Sequence, residues 1–252
     1  DIASLEDEDD AIWVSIEDLD DSRVISDGLM DYVTVTSTGN VVFEDTNLIV
    51  RNASGSTDGL PDGKGNIFIG YNEIDEDSFR TGSHNLVLGM ANSYSGFGGI
   101  VGGFNNVQTG DFASIIGGEN NAAASPQSVI VAGESNRTSA KNAVVVAGST
   151  NEVASQGSVI LTGLNNQVDG VFSTVLGGNS NDATGAYSAI VGGASNTASG
   201  ESSVVAGGQA GEASGRSSAV LSGMGSTASG STSAVVAGSL NVASAANSAI
   251  LG

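Results

Sequence analysis

The sequence predicts an all-β protein, a parallel β-solenoid whose coils each take 15 residues. Three observations predict it. Apolar identity recurs every 15 positions from Ile100 to the end of the chain, and glycine and asparagine recur in phase with it. The repeating unit is also too short for two helices and rich in glycine and β-branched residues, which disfavour helix and suit strands and turns.

The first position of the unit is β-branched throughout: Ile100, Ile115, Ile130, Val145, Ile160, Val175, Ile190, Val205, Val220, Val235 and Ile250. The second is apolar from Val101 to Leu251, weakest at Ala206. The fourth is glycine in all ten full units, Gly103 to Gly238. The seventh is asparagine in eight of the ten, with Gly211 and Ser226 as the exceptions, and the fourteenth is serine except at Ala113 and Ala143. A coil such as Ser188-Ala189-Ile190-Val191-Gly192-Gly193 therefore reads as a short strand over Ser-Ala-Ile-Val and a turn at Gly-Gly. A second, weaker strand follows over Asn-x-Ala, then a turn at Ser-Gly. Glycine at the turn takes positive φ without a Cβ clash, and asparagine tolerates the same left-handed region. Stacked coils sit about 4.8 Å apart, so ten make a rod of roughly 50 Å, along which the asparagines form a ladder of stacked amides. That ladder is structural rather than a ligand site.

Successive side chains of a strand point to opposite faces. Ile190 and Val191 are both apolar, so both faces of the strand need cover. One face fills the coil. The other needs a partner that the repeat does not contain, which predicts a parallel homo-oligomer of rods.

Upstream of the repeat the pattern changes. Residues 1–26 carry Ile2, Leu5, Ile12, Ile16 and Leu19 at heptad spacing. With Ile2 as position a, Ile12 and Leu19 fall at d, and the polar Asp9 and Arg23 fall at a, which is a short coiled-coil segment. Isoleucine at both a and d favours three or four strands. Residues 27–65 read as a β-rich cap or connector, with Tyr-Val-Thr-Val, Val-Val-Phe and Leu-Ile-Val as short strands between turns. The solenoid spans 66–252, with irregular coils over 66–99 beginning at Ile67-Phe68-Ile69-Gly70 and regular coils over 100–252.

Composition narrows the function. The chain has 252 residues, no cysteine, and a net charge of −21. Residues 1–80 hold 20 acids and 4 bases, and the rest 8 acids and 3 bases. So acidic a chain repels nucleic acid and anionic membrane surfaces. No run of 18 apolar residues is present to insert in a bilayer. The single histidine, His84, stands in Gly-Ser-His-Asn without a GxSxG elbow, so it reads as a turn or contact residue rather than a catalytic base. The glycines form no GxxxxGK[ST] loop. Hexapeptide acyltransferases are trimeric solenoids too, but with 18 residues per coil and a histidine between subunits. The loop Asp58 to Asn66, with Asp58 and Asp62, and the run Asp75-Glu76-Asp77 offer oxygen ligands for a calcium ion without matching an EF-hand. No catalytic, cofactor-binding or metal-ligating residue, and no cofactor, is assigned.

The unit Ser188-Ala189-Ile190-Val191-Gly192 with Ala198-Ser199-Gly200 resembles the YadA-like head repeats of trimeric autotransporter adhesins, whose coil is typically 14 residues of the form SxAIGxxSxAxGxx. The resemblance covers about Asn66 to Gly252. It implies a left-handed parallel β-roll that trimerises, displayed at a cell surface or secreted, and binding host matrix or another surface. The expectation is therefore an extracellular bacterial homotrimer, an adhesin or a fibre and filament subunit able to assemble end to end, with no enzymatic activity. A receptor-binding tail-fibre module and an ice- or mineral-binding solenoid are the alternatives. Ligand contacts are expected at the outward positions five, six, twelve and thirteen of the coil, such as Phe104, Phe112, Phe172 and Tyr187.

Overall fold

The computed structural model describes residues 32–71, 73–74 and 78–252, and contacts divide the chain into two units, 1–49 and 50–252. The coiled-coil segment expected over 1–26 lies outside the described residues.

In the first unit, β1 (Val33–Val35) and β2 (Val41–Phe43) form an antiparallel hairpin with Val33 opposite Phe43. Thr36 closes it: its N–H donates to the Asn40 carbonyl, and its own carbonyl accepts from the Gly39 N–H. Leu48-Ile49-Val50, expected as a third strand, forms none, because no neighbouring strand offers it ladder hydrogen bonds.

The second unit is a parallel β-solenoid. Its first sheet has 13 strands, beginning with β3 (Ile67–Ile69) and β4 (Leu86–Met90). Its second has 11, beginning with β5 (Ser93–Tyr94). After β6 (Ile100–Phe104) every strand is two residues long, alternating between the sheets, as in Ala189–Ile190 of the first and Thr197–Ala198 of the second. Each strand pairs in parallel with its counterpart one coil on. Ile190 sits beside Val205, and the Ala189 and Val191 N–H groups donate to the Ser203 and Val205 carbonyls at 2.9 Å.

Alternation then sorts the side chains. Ile115, Ile130, Val145, Ile160, Val175, Ile190, Val205 and Val235 form one fully buried column. Ala123, Val153, Val168, Ala183, Ala198, Ala213 and Ala228 face them from the second sheet. Large residues opposite mostly small ones fill a narrow lumen. The asparagine ladder stands as expected: from Asn106 to Asn196 each Oδ1 accepts the backbone N–H of the residue one coil on, at 2.8–3.0 Å.

The structure corrects the repeat in two respects. First, the spacing is 14 residues at the start. Leu86 pairs with Ile100, Val87 with Val101, and Val101 with Ile115, so Val101 and not Ile100 is the inward equivalent of Ile115. One residue enters between the inward side chain and the turn glycine. Gly102 alone separates Val101 from Gly103, whereas Ile116 and Gly117 separate Ile115 from Gly118. All later coils keep 15. Second, the seventh-position asparagines are not left-handed. Positive φ falls on the fourth, sixth and thirteenth positions instead. At the fourth, glycine is obligatory: Gly178 has φ +97°, and a Cβ there would fall about 2.5 Å from the Asn181 Nδ2 and closer still to the Gly193 carbonyl. Among the described residues no helix is long and apolar enough to cross a membrane.

Candidate functional site

The solenoid presents three surfaces, each a column repeated up the rod. The first is the outer face of the first sheet. Ser114, Val129, Val144, Val159, Thr174, Ala189 and Val204 form a half-buried column, apolar except at Ser114 and Thr174, and Ile116, Val131, Leu161, Leu176, Val191 and Leu221 an exposed one beside it. Val191 is 49% exposed, so within one chain only the Ile190 face of the strand is covered. In the shorter coils Leu88 and Gly102 already hold the place of the exposed column. The position after it holds only small residues, among them Gly117, Ala132, Gly177, Gly192 and Ser222, so nothing on the rod itself shields the apolar column. Apolar surface this continuous is uncommon on a protein that works alone.

The second surface, the outer face of the second sheet, is polar. Arg137, Glu152, Gln167, Asp182, Thr197, Glu212 and Thr227 succeed one another, with Arg137 Nε 3.4 Å from Glu152 Oε1. Threonines 197 and 227 are separated by Glu212, so the column makes no threonine array. Glu152, Gln167 and Asp182 with Thr150, Asn165 and Ser180 line a shallow groove of about 210 Å³. The Asp182 Oδ1 is buried there without a hydrogen bond. Burial pushes its carboxyl above the usual range, and the Asp169 charge adds to the effect.

A carboxyl raised in the folded state binds its proton more tightly there than when unfolded, so its ionisation at neutral pH opposes folding. Asp182→Asn is therefore expected to melt higher than the natural chain at pH 7. The gap should close as the pH falls through and below the ordinary carboxylate range of about 4. Thermal melts at both pH values check it; a gap that widens in acid contradicts it.

The third surface is the turn at position thirteen. His84, Phe112, Gln127, Asn142, Phe172, Tyr187, Ser202, Ser217, Thr232 and Asn247 all have φ between 53° and 60°. Left-handed backbone is uncommon for any residue but glycine, and more so for a bulky one. Here it is fixed by hydrogen bonds between coils, as from the Tyr187 N–H to the Val171 carbonyl at 2.9 Å. Of the positions expected to face outward, Phe104, Phe112, Phe172 and Tyr187 are all exposed.

His84 opens this column. Its Nε2 accepts from the Asn52 N–H at 3.2 Å, and its Nδ1 lies 3.2 Å from the Thr57 carbonyl. The neighbouring Ser83 hydroxyl is buried and donates to Asp62 Oδ1 at 3.0 Å, not to His84, so the two form no nucleophile and base pair. The Asp58–Asn66 loop spends its carboxylates locally. Asp62 accepts from the Asn52 amide at 3.0 Å, which with the Lys64 N–H and the Ser83 hydroxyl holds its carboxyl below the usual range. Asp58 is lowered by the Ser56 hydroxyl. Among the described residues no three acidic or histidine side chains converge on one point; the Asp75-Glu76-Asp77 run lies outside them.

The comparisons add no relative: no known family model and no curated protein matches this chain.

Proposed function

We propose that this chain forms the rod of an extracellular homotrimer, a YadA-like adhesin head or filament subunit built as a left-handed β-roll and acting by binding rather than catalysis. The observation that carries it is the double apolar column of the first sheet. Over nine coils it runs about 40 Å and one strand wide, and among the described residues its outer members stay exposed. Three parallel rods turning these columns to a common axis cover them and leave the charged second sheets in water. The ladder of asparagine amides and the fully buried aliphatic column give the assembly the stiffness that a displayed or filamentous part requires. The charge of −21 keeps such rods soluble and away from polyanions.

Light scattering is the test. The expected mass is three times 24.8 kDa. A Leu176→Glu, Val191→Glu variant should fall to the mass of one chain while keeping its β circular dichroism, because both side chains lie outside the coil. A natural chain that stays monomeric, or a variant that keeps the full assembly, overturns the reading.

A further inference from the structure

We propose that the turn ledge around Tyr187 binds a pyranose ring of a neutral, β-linked hexopyranose chain. This names a ligand class for the surface-binding reading above and rests on it.

The ledge is a short aromatic stack with one free face. A Cβ on Gly157 would meet the Phe172 ring at 2.5 Å, so that ring lies back over the preceding coil, where glycine leaves room. The Tyr187 ring stacks on it with centroids 5.8 Å apart and planes 14° from parallel. The stack therefore runs Gly157, Phe172, Tyr187, and the far face of Tyr187 turns toward Ser202, too short to cover it. Tyr187 is 60% exposed. Phe112 leans in the same way over Gly98, but its neighbour Phe97 meets it edge-on, with planes 79° apart and centroids 5.0 Å apart, so no flat stack forms there.

Glu201 and Arg216 occupy the next two coils, each one residue before the left-handed turn position. Their side chains are 53% and 72% exposed, with Arg216 Nε 3.4 Å from Glu201 Oε2. A carboxylate accepts and a guanidinium donates, which matches the hydroxyl rim of a sugar, while the aromatic face matches its C–H face. The platform is rigid: the Phe172, Tyr187 and Ser202 N–H groups donate to the Gln156, Val171 and Ala186 carbonyls at 3.0, 2.9 and 2.8 Å. A preformed aromatic contact loses little freedom on binding. The negative charge of the chain selects against anionic glycans.

Calorimetry and saturation-transfer NMR on the full chain, with cellohexaose and N-acetylchitohexaose as probes, test this. Saturation is expected to pass to the pyranose C–H protons of at least one probe. Tyr187→Ala should weaken that binding at least tenfold with its melting temperature unchanged, whereas Tyr187→Trp and Phe112→Ala keep it. Binding of neither probe, equal binding by Tyr187→Ala, or equal binding of an oligoguluronate overturns the proposal. Beads coated with the chain separate the two readings. If they adhere to matrix-coated glass while both probes fail, only the ledge assignment is lost. If they do not adhere and the chain is monomeric, the surface-binding reading is lost as well.

Discussion

Ile190→Asp is expected to unfold the coils on either side of residue 190, at a cost of more than about 5 kcal/mol. Removing a buried isoleucine side chain alone costs about 2–5 kcal/mol, and the lumen cannot solvate a carboxylate in its place. Ile190 is fully buried, between Val175 and Val205 of the adjoining coils and near Ala183 and Ala198 of the facing sheet. No cation is available inside. The two neighbouring positions supply the contrast. Val191 is half exposed, so Val191→Asp should leave the coil folded and act on assembly. Glu201→Lys breaks only an exposed pair with Arg216 and should change stability by less than about 1 kcal/mol. Because each coil touches only its neighbours, the damage from Ile190→Asp spreads coil by coil. Hydrogen exchange should show protection lost first at the two coils around the substitution. Denaturant melts in which Ile190→Asp and Val191→Asp lose equal stability would refute the assignment of inner and outer faces.

The columns that fill the coil were legible because each holds one kind of residue. A β-branched side chain every 15 positions, with glycine three places on, admits few readings, and strands over Ala189–Ile190 and Thr197–Ala198 fall within the segments the pattern marks. The change of coil length was hidden by coincidence of type. Ile100 and Val101 are both β-branched and both precede Gly102-Gly103, so counting from the glycines gives 15 and counting from the inward side chain gives 14. Only the pairing register separates them. The left-handed columns were illegible for a different reason. Phe112, Gln127 and Tyr187 share no chemistry that favours positive φ; the conformation is imposed by hydrogen bonds from coils far off in sequence count. The glycines at 98 and 157 are the exception that marks the rule, each standing one coil before an aromatic residue that lies over it. The open ring face of Tyr187 follows from that lean, and no single-residue pattern announces it.

Asn166→Ala is expected to cost about 3 kcal/mol, more than any substitution on the polar outer column. The Asn166 side chain is buried and fully used. Its Nδ2 donates to Asn151 Oδ1 and the Gly178 carbonyl at 3.1 Å, and its Oδ1 accepts both the backbone N–H and the Nδ2 of Asn181 at 3.0 Å. Alanine leaves the buried Asn181 N–H without an acceptor, an orphan that costs about 1–3 kcal/mol, and the other lost bonds add about 0.5–1.5 kcal/mol each, although the Gly178 carbonyl keeps the Leu164 N–H at 3.0 Å. The chain already contains the natural counterpart of this defect. Gly211 donates its N–H to Asn196 Oδ1 at 2.8 Å but has no side-chain oxygen to offer Ser226, so the ladder is interrupted there. The Gly211 backbone is not left-handed, and a Cβ would meet Asn196 Oδ1 at 3.1 Å and Val220 Cγ1 at 3.2 Å, a fit that asks a few tenths of an ångström from its neighbours. Gly211→Asn should then raise the melting temperature where Asn166→Ala lowers it, since it restores an acceptor for the Ser226 N–H and removes backbone freedom from the unfolded chain. Thermal melts of the two variants decide between this account and a ladder that merely fills space. In the second case Asn166→Leu, close in volume but without hydrogen-bonding groups, would be as stable as the natural chain; the bonds made by Asn166 require it to be as unstable as alanine or worse.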